Sequence, residues 1–498
     1  MITATYLRQP FPHQRRAIEQ LKMWDGRAML CDEMGLGKSS TSLWTMAELN
    51  ADRIIIVCPL SVVGKWCDEV EQTVGPTWSN LSSMGKVKLK RSLENNKGRP
   101  WMASHRVLHW DALVGLSEDH IEMLCGPGDG NVGVLFDESH YVRNRQALRS
   151  KAARALAARA RYVLCLTGTP IRNDVRDLWH QVQLARPGHL YDYARFETRF
   201  TRQFLFKLPS MKRPVRKFEG TKNEGELATR LHDVMVMRKK SDVFDLPPKV
   251  RTVVPLEMGR VERARYDEMK QSAMVVLQNA QCAPIVTNPT FPEAQDRMNA
   301  VVIARTALEQ VIRLEQLTCG VLGGSSLDQP VAFHDAAKIE WTLETIGDLR
   351  AQGRSVVVFC KFNATIRLLV SKIADVPSGV IHGATRPELR PFEIATFRSR
   401  AASNDAERAG VLLCQLKLAE GFDLTPCTDA IFLGIDWTPA MMDQAEDRLH
   451  RIGTTGTVNC YYPIINRSID KRLFNTVVEK RENAQQVLGV GEVMEELR

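Results

Sequence analysis

Short runs of β-branched and other apolar residues alternate with longer mixed stretches through the first half of the chain. Ile54–Cys58, Val132–Phe136 and Tyr162–Leu166 are strand-length runs, each followed by a loop of polar or Gly/Pro residues. Strands alternating with helices predict right-handed βαβ units around a parallel sheet. Ligands of such sheets bind in the loops beyond the carboxyl ends of the strands, so those loops are where chemistry is sought. The pattern changes between about Val261 and Leu317, where helical periodicity dominates around a proline-containing break at Ala283–Pro292. Just before it, Leu246-Pro247-Pro248-Lys249 excludes helix and stiffens the chain, as an inter-domain crossing would. Alternation resumes with Ser355–Cys360, Gly379–His382, Val411–Cys414 and Ala430–Gly434. The predicted architecture is α/β: two lobes, residues 1–245 and 246–498, each a parallel sheet flanked by helices. Helical insertions are expected at about 180–240 and 257–325.

Length agrees with two lobes, since 498 residues exceed what one hydrophobic core usually serves. With 44% hydrophobic and 25% charged residues, the composition excludes extensive disorder. Apolar runs such as Ile54–Val57 and Val356–Phe359 fall far short of the roughly 18–20 residues of a membrane-spanning helix. The opening Met1-Ile2-Thr3-Ala4 lacks a basic stretch followed by an apolar core, so no secretion signal is expected. Eleven cysteines without a Cys-x-x-Cys pair suit neither a zinc site nor a disulfide framework. Reduced thiols in a cytoplasmic protein, or a nuclear one in a eukaryote, are the expectation. The net charge of +9 favours a polyanionic partner. It is concentrated: Arg143, Arg145, Arg149, Lys151, Arg154, Arg159 and Arg161 follow one another with no acid between them. Lys207, Lys212, Arg213, Arg216, Lys217 and Lys222 are interrupted only by Glu219. Either cluster alone could be a solvated face; together they suit a surface that tracks phosphates.

The strongest chemical signal is Cys31-Asp32-Glu33-Met34-Gly35-Leu36-Gly37-Lys38-Ser39. A glycine-rich loop opening a helix lets backbone N–H groups approach phosphates, and the helix N-terminus favours their charge. Met34, Gly35, Leu36, Gly37, Lys38, Ser39 and Ser40 are the candidate nucleotide-binding residues, with Lys38 on the β- and γ-phosphates and Ser39 on Mg²⁺. The strict pattern wants glycine where Asp32 stands. The second signal is Asp137-Glu138-Ser139-His140 after an apolar strand. Paired acids there are commonly a loop or helix cap; about a hundred residues after a nucleotide loop, they become its other half. Asp137 is then the metal carboxylate and Glu138 the general base that polarises the attacking water. Thr167-Gly168-Thr169, again after a strand, can sense that carboxylate loop. In Gln444–Gly453, Arg448 and Arg451 are three apart and would share a helix face. They suit either a surface ion-pair helix with Glu446 and Asp447 or the stabilisation of charge on a γ-phosphate.

In this order the motifs resemble the Snf-two (Swi/Snf-type) branch of superfamily-two helicase-like ATPases, over nearly the whole chain. The resemblance rests on Asp32–Lys38, on Ile55–Ser61 with Trp66, and on Asp137–His140 with Arg143-Asn144. Leu166–Asn173 with Asp177-Leu178-Trp179, and Met237–Lys240 with Leu246–Lys249, continue it. His382–Thr385 with Arg390, Glu420–Leu424 and Gln444–Gly453 complete it. It implies two tandem RecA-like lobes, ATP and Mg²⁺ as cofactors, and double-stranded DNA as partner. By the same resemblance Gln14 helps read adenine, and Arg448 and Arg451 act as arginine fingers across the lobe cleft. Gln444 lies near ATP or water, and Gly421 and Asp423 couple the second lobe to DNA backbone and nucleotide. The implied activity is ATP-driven translocation on duplex DNA without strand separation, for which a monomer suffices. A strand-separating DNA or RNA helicase and a non-hydrolysing nucleic-acid clamp are the alternatives. The chain departs from the family pattern at Asp423, at Thr438 and at Thr454, where an asparagine, an asparagine and a glutamine are usual.

Overall fold

The computed structural model describes residues 8–75, 78–84, 86–95, 105–126, 131–206, 215–282, 309–322, 331–333, 335–386, 388–419 and 422–496. The described chain divides into two bodies, and the main division falls between Asp245 and Leu246. Residues from Lys480 on group with the first body rather than with the second, where the sequence reading placed them. There Val487 is buried in the first core.

The first body is built on seven strands. Their spatial order is Trp78–Asn80, His105–His109, Arg53–Cys58, Val132–Asp137, Tyr162–Leu166, Arg27–Leu30 and Met235–Val236. All neighbours run parallel. Alternate residues of these strands enter different cores, as a period of two requires. Leu30, Ile54, Ile56, Leu135 and Leu164 share one with Ala17, Leu21, Leu43 and Trp66 of three helices. Met29, Ile55, Val57, Phe136 and Cys165 share the other with Trp110, Leu156 and Leu178. A sheet covered on both faces exposes only its strand ends, which is where the informative loops lie. Leu166 pairs with Leu30 on one side and with Asp137 on the other, so three of those loops start at the same level of the sheet.

The second body carries six parallel strands. Their order is Lys249–Leu256, Val458–Ile465, Asp429–Phe432, Val356–Cys360, Val411–Gln415 and Ser378–Ile381. Sequence reasoning missed Lys249–Leu256 because it is an edge strand: most of its residues are exposed and no apolar run betrays it. The stretch at 180–240 is not purely helical as expected. Between the helices Tyr193–Phe200 and Glu224–His232 it contains two paired strands, Thr201–Phe206 and Val215–Thr221. In the second insertion the helix Arg260–Cys282 is described, and residues 283–308 lie outside the described residues. No described helix is long and apolar enough to cross a membrane.

Candidate nucleotide site

The strand Arg27–Leu30 runs into the loop 31–37, and a helix begins at Lys38. Gly35 and Gly37 adopt φ of +93° and +77°, which a β-carbon would strain. Gly37 is doubly constrained, because a β-carbon there would lie 2.3 Å from Gln14 Nε2. Gln14 is buried, receives the Phe11 N–H at 2.9 Å and donates to Gly37 O at 3.3 Å. His13 Nε2 lies 3.1 Å from Leu36 O, and burial holds its imidazole below the usual histidine range. Gln14, expected to read adenine, and its neighbour His13 are thus fastened to the loop expected to hold phosphates. Lys38 Nζ donates to the loop's own carbonyls, Asp32 O at 2.6 Å and Glu33 O at 3.2 Å. Ser42 Oγ donates to Ser39 O at 2.8 Å, and Ser40 spends its hydroxyl on Glu69 Oε1 at 2.6 Å.

Asp137 ends its strand, held by two tryptophans. Trp66 Nε1 donates to its Oδ2 at 2.7 Å, and Trp110 Nε1 donates to its carbonyl at 3.0 Å. The Glu138 N–H caps Oδ1 at 3.0 Å. Burial and the neighbouring Glu138 carboxylate push the Asp137 carboxyl up. Glu138 sits at φ +49°, a left-handed conformation that costs a non-glycine residue of order 1–3 kcal/mol and concentrates at functional sites. His140 Nδ1 lies 3.1 Å from Glu138 Oε2 and 3.4 Å from Thr167 Oγ1, whose hydroxyl donates to Glu138 Oε2 at 3.5 Å. Burial opposes ionisation of Glu138, but His140, Lys38 and Arg172 outweigh it and hold the carboxyl below its ordinary range. Burial likewise lowers His140. The two neighbouring carboxyls thus shift in opposite directions, Asp137 upward and Glu138 downward. A β-carbon at Gly168 would lie 3.2 Å from Met34 Cγ and 3.5 Å from Lys38 Nζ, so the Thr167–Thr169 turn touches the nucleotide loop directly. Asp177 Oδ2 fixes that segment by accepting from Arg172 N at 3.1 Å and Asn173 N at 2.8 Å.

In the second body, Arg448 and Arg451 do not share a helix face as expected. The helix Pro439–Glu446 ends before them, and both lie in the turns that follow. Glu446 is fully buried and meets Arg251 (Nε to Oε1, 2.7 Å), Lys249 (3.0 Å) and the Tyr462 hydroxyl. That network pins the helix end. Arg448 is buried beside Phe422 O, at 3.4 Å from NH1; Arg451 Nε donates to Asp447 O at 2.9 Å. Gln444 is buried, and its Oε1 has no hydrogen-bond partner among the described residues. Gly421 lies outside the described residues. Each departure from the family pattern closes a turn. Asp423 Oδ1 accepts from Thr425 N and Oγ1 at 3.0 and 2.6 Å. Thr438 donates from N and Oγ1 to Asp436 Oδ1 at 3.0 and 2.8 Å. Thr454 Oγ1 receives the Arg451 N–H at 3.1 Å and donates to Leu449 O at 2.7 Å.

Glu446 yields a stability prediction. Burial opposes its charge, but Lys249 and Arg251 prevail and bring its pKa from 4.5 down to about 2. A carboxyl depressed on folding stabilises above its unfolded value and loses that contribution as pH falls through the folded one. Glu446→Gln is therefore expected to lower the melting temperature of the second body at pH 7. Leaving two cations without their buried partner costs on the order of 3–5 kcal/mol. The gap from wild type should narrow as pH falls from about 4.5 toward 2. Differential scanning calorimetry of both proteins across that range checks it, and a gap independent of pH would contradict it.

Sequence reasoning missed Trp110 and the contact of Arg238, a residue it placed only in the inter-lobe motif; the partners of both lie far away in the chain. Trp110 sits 27 residues from the carbonyl it holds, and Arg238 sits 206 from Asp32. No local pattern announces either contact. Among the described residues no group of His, Cys, Asp and Glu forms a metal cluster, and the ten cysteines whose side chains are described are free.

Comparison with known proteins places these motifs among relatives. Residues 13–310 match the SNF2-related domain and residues 337–453 the helicase conserved C-terminal domain. A human protein named DNA annealing helicase and endonuclease ZRANB3 is 25% identical over 482 residues, 95% of this chain and 40% of that one. A Caenorhabditis elegans protein is 28% identical over 493 residues, 96% of this chain and 61% of that one. It is named as a homolog of the SWI/SNF-related matrix-associated actin-dependent regulator of chromatin subfamily A-like protein 1. The Bacillus subtilis uncharacterized ATP-dependent helicase YqhH is 23% identical over 497 residues, 96% of this chain and 80% of its own length. The chain thus spans about two-fifths of the length of the ZRANB3 relatives it matches. Among solved structures, the Sulfolobus solfataricus SWI2/SNF2 ATPase core in complex with dsDNA aligns over 99% of this chain and 97% of that one. Its sequence identity is 21% and its TM-score 0.42.

Proposed function

Because the chain belongs to the SNF2-related family of helicase-like ATPases, we propose that it binds Mg·ATP, hydrolyses it and tracks along double-stranded DNA without separating the strands. The observation that carries this reading is the convergence, at the carboxyl ends of adjacent strands, of the loop 31–39, Asp137 and Glu138, the Thr167–Thr169 turn and Gln14. Gln14 and the loop bind and orient the nucleotide, and Lys38 leaves its loop carbonyls for the β- and γ-phosphates. Asp137 and the Ser39 hydroxyl are hard oxygen donors of the kind Mg²⁺ takes, and they would hold it. When bound, Mg²⁺ offsets charge on the phosphate oxygens. Glu138, kept ionised by His140 and Lys38, orients the attacking water and accepts its proton. Arg448 and Arg451 supply positive charge to the γ-phosphate in the transition state.

DNA is engaged through phosphates, so sequence preference is weak and salt sensitivity strong. The basic run narrows to a specific surface. Arg149 pairs with Asp111 and Arg159 with Glu122, while Arg161 donates to Asn131. Arg143, Lys151 and Arg154 remain exposed without an ion pair among the described residues, and they are the candidates for backbone contact. The names of the relatives, a DNA annealing helicase and a SWI/SNF-related regulator of chromatin, support DNA over RNA. The test is displacement of a third strand from a triplex-bearing blunt duplex, beside unwinding of a forked duplex. ATP-dependent displacement without unwinding is expected; unwinding of the fork would establish the strand-separating alternative.

A further inference from the structure

Asp32 stands where a strict nucleotide loop carries glycine, and the structure gives it a partner. Its side chain is fully buried. Arg238 meets it with two arms: Nε donates to Oδ1 at 2.9 Å, and NH2 donates to Oδ2. The remaining arm, NH1, donates to the carbonyl of His13. The backbone around Arg238 adds more ties. Glu33 N donates to Arg238 O at 3.0 Å, and Lys240 N donates to Glu33 Oε2 at 2.7 Å. Two residues earlier, Met235–Val236 pairs with the strand that leads into the loop. The planar guanidinium thus joins Asp32 of the nucleotide loop to the turn of helix that carries Gln14, and the backbone on either side of Arg238 ties the same loop to the sheet edge. A buried carboxylate persists only when paired and hydrogen-bonded, and a forked cation satisfies it with fixed geometry.

We propose that Arg238 is a positioning residue that sets the affinity of the loop for ATP without touching the nucleotide. The proposal rests on the nucleotide-site reading above. The path of its effect is short. Lys38 is anchored on the carbonyls of Asp32 and Glu33, the two residues that the Arg238 segment holds. His13, whose carbonyl takes the third arm, contacts Leu36 O, and its neighbour Gln14 contacts Gly37 O. Removing the guanidinium leaves Asp32 charged, buried and unpaired, and frees the loop and the adenine-reading turn to move apart. The groups expected to perform the chemistry, Glu138 and Asp137, have their own supports in His140, Trp66 and Trp110. Affinity should therefore fall much more than turnover.

The experiment uses the full chain and four proteins besides wild type: Arg238→Ala, Arg238→Lys, Asp32→Asn and the Asp32→Asn/Arg238→Ala double variant. Fluorescence titration with N-methylanthraniloyl-ATP gives Kd, and steady-state hydrolysis with blunt duplex DNA gives kcat and KM. Arg238→Ala is expected to raise both Kd and KM at least about tenfold while kcat at saturating ATP falls by no more than roughly threefold. Arg238→Lys, which keeps charge but loses the fork, should recover part of the affinity. In the Asp32→Asn background, where no buried charge awaits a partner, the further effect of Arg238→Ala should shrink to roughly threefold or less. A Kd within about twofold of wild type in folded Arg238→Ala, or an equal effect in both backgrounds, overturns the proposal. Should Arg238→Ala fail to fold, Arg238→Lys decides: weakened binding with near-normal kcat supports it, and wild-type binding overturns it. If folded wild type itself binds no nucleotide, the functional reading falls and takes the proposal with it.

Discussion

Glu138→Gln is expected to bind ATP as the wild type does and to hydrolyse it about 10²–10⁴-fold more slowly, the range a positioned general base contributes. The substitution keeps the volume and one acceptor oxygen, so the left-handed turn at φ +49° and the contacts of Thr167 and His140 have no steric reason to change. What it removes is the negative charge. That charge is maintained against burial by His140, Lys38 and Arg172, an expenditure of local electrostatics with no packing purpose. A carboxylate held ionised in this way suits the acceptance of a proton from water. Rapid-quench measurement of a single turnover separates the chemical step from binding. A loss of N-methylanthraniloyl-ATP binding as large as the loss of turnover would instead make Glu138 a structural residue of the site.

Arg451→Ala is expected to slow hydrolysis by about 10³–10⁵, the effect of removing an arginine that stabilises transition-state charge. Between the two arginines it is the cleaner subject. Arg448 is the more deeply buried, and truncating it would leave a cavity as well as remove a charge. Arg451 is half-buried, with its Nε on Asp447 O and its own N–H taken by Thr454. Burial lowers the pKa of its guanidinium, and Asp423 and Asp447 partly restore it. The turn is closed by Thr454 and Leu449 O, which the substitution spares. Nucleotide affinity should therefore stay near wild type while kcat collapses. Parallel loss of affinity and turnover, or a lowered melting temperature of the second body, would place Arg451 in the fold rather than in the chemistry.

Much of this was legible in the sequence because the fold concentrates its information. Runs such as Tyr162–Leu166 are apolar throughout because both faces of the sheet are covered, and the chemistry follows each run at once. That is why the positions of Asp137 and Thr167 at strand ends could be read without coordinates. The misses have equally physical reasons. Lys249–Leu256 is an exposed edge strand and lacks the apolar signature. The face shared by Arg448 and Arg451 assumed that the helix would continue. It stops at Glu446, where Arg251 and Lys249 from the first strand of the second sheet fasten a buried carboxylate. Asp32 departs from the strict glycine pattern, and its partner Arg238 comes from a segment 206 residues further on, which no local pattern could link to it. The departures at Asp423, Thr438 and Thr454 all take part in closing local turns.

The most direct test of the central claim is steady-state ATP hydrolysis by the purified chain alone and with blunt duplex DNA, single-stranded DNA or RNA, with Glu138→Gln as the blank. Hydrolysis that is low alone, rises strongly with duplex DNA above the other nucleic acids and vanishes in Glu138→Gln is the predicted result. Stimulation by single strands or RNA over duplex, or hydrolysis that survives Glu138→Gln, would contradict it.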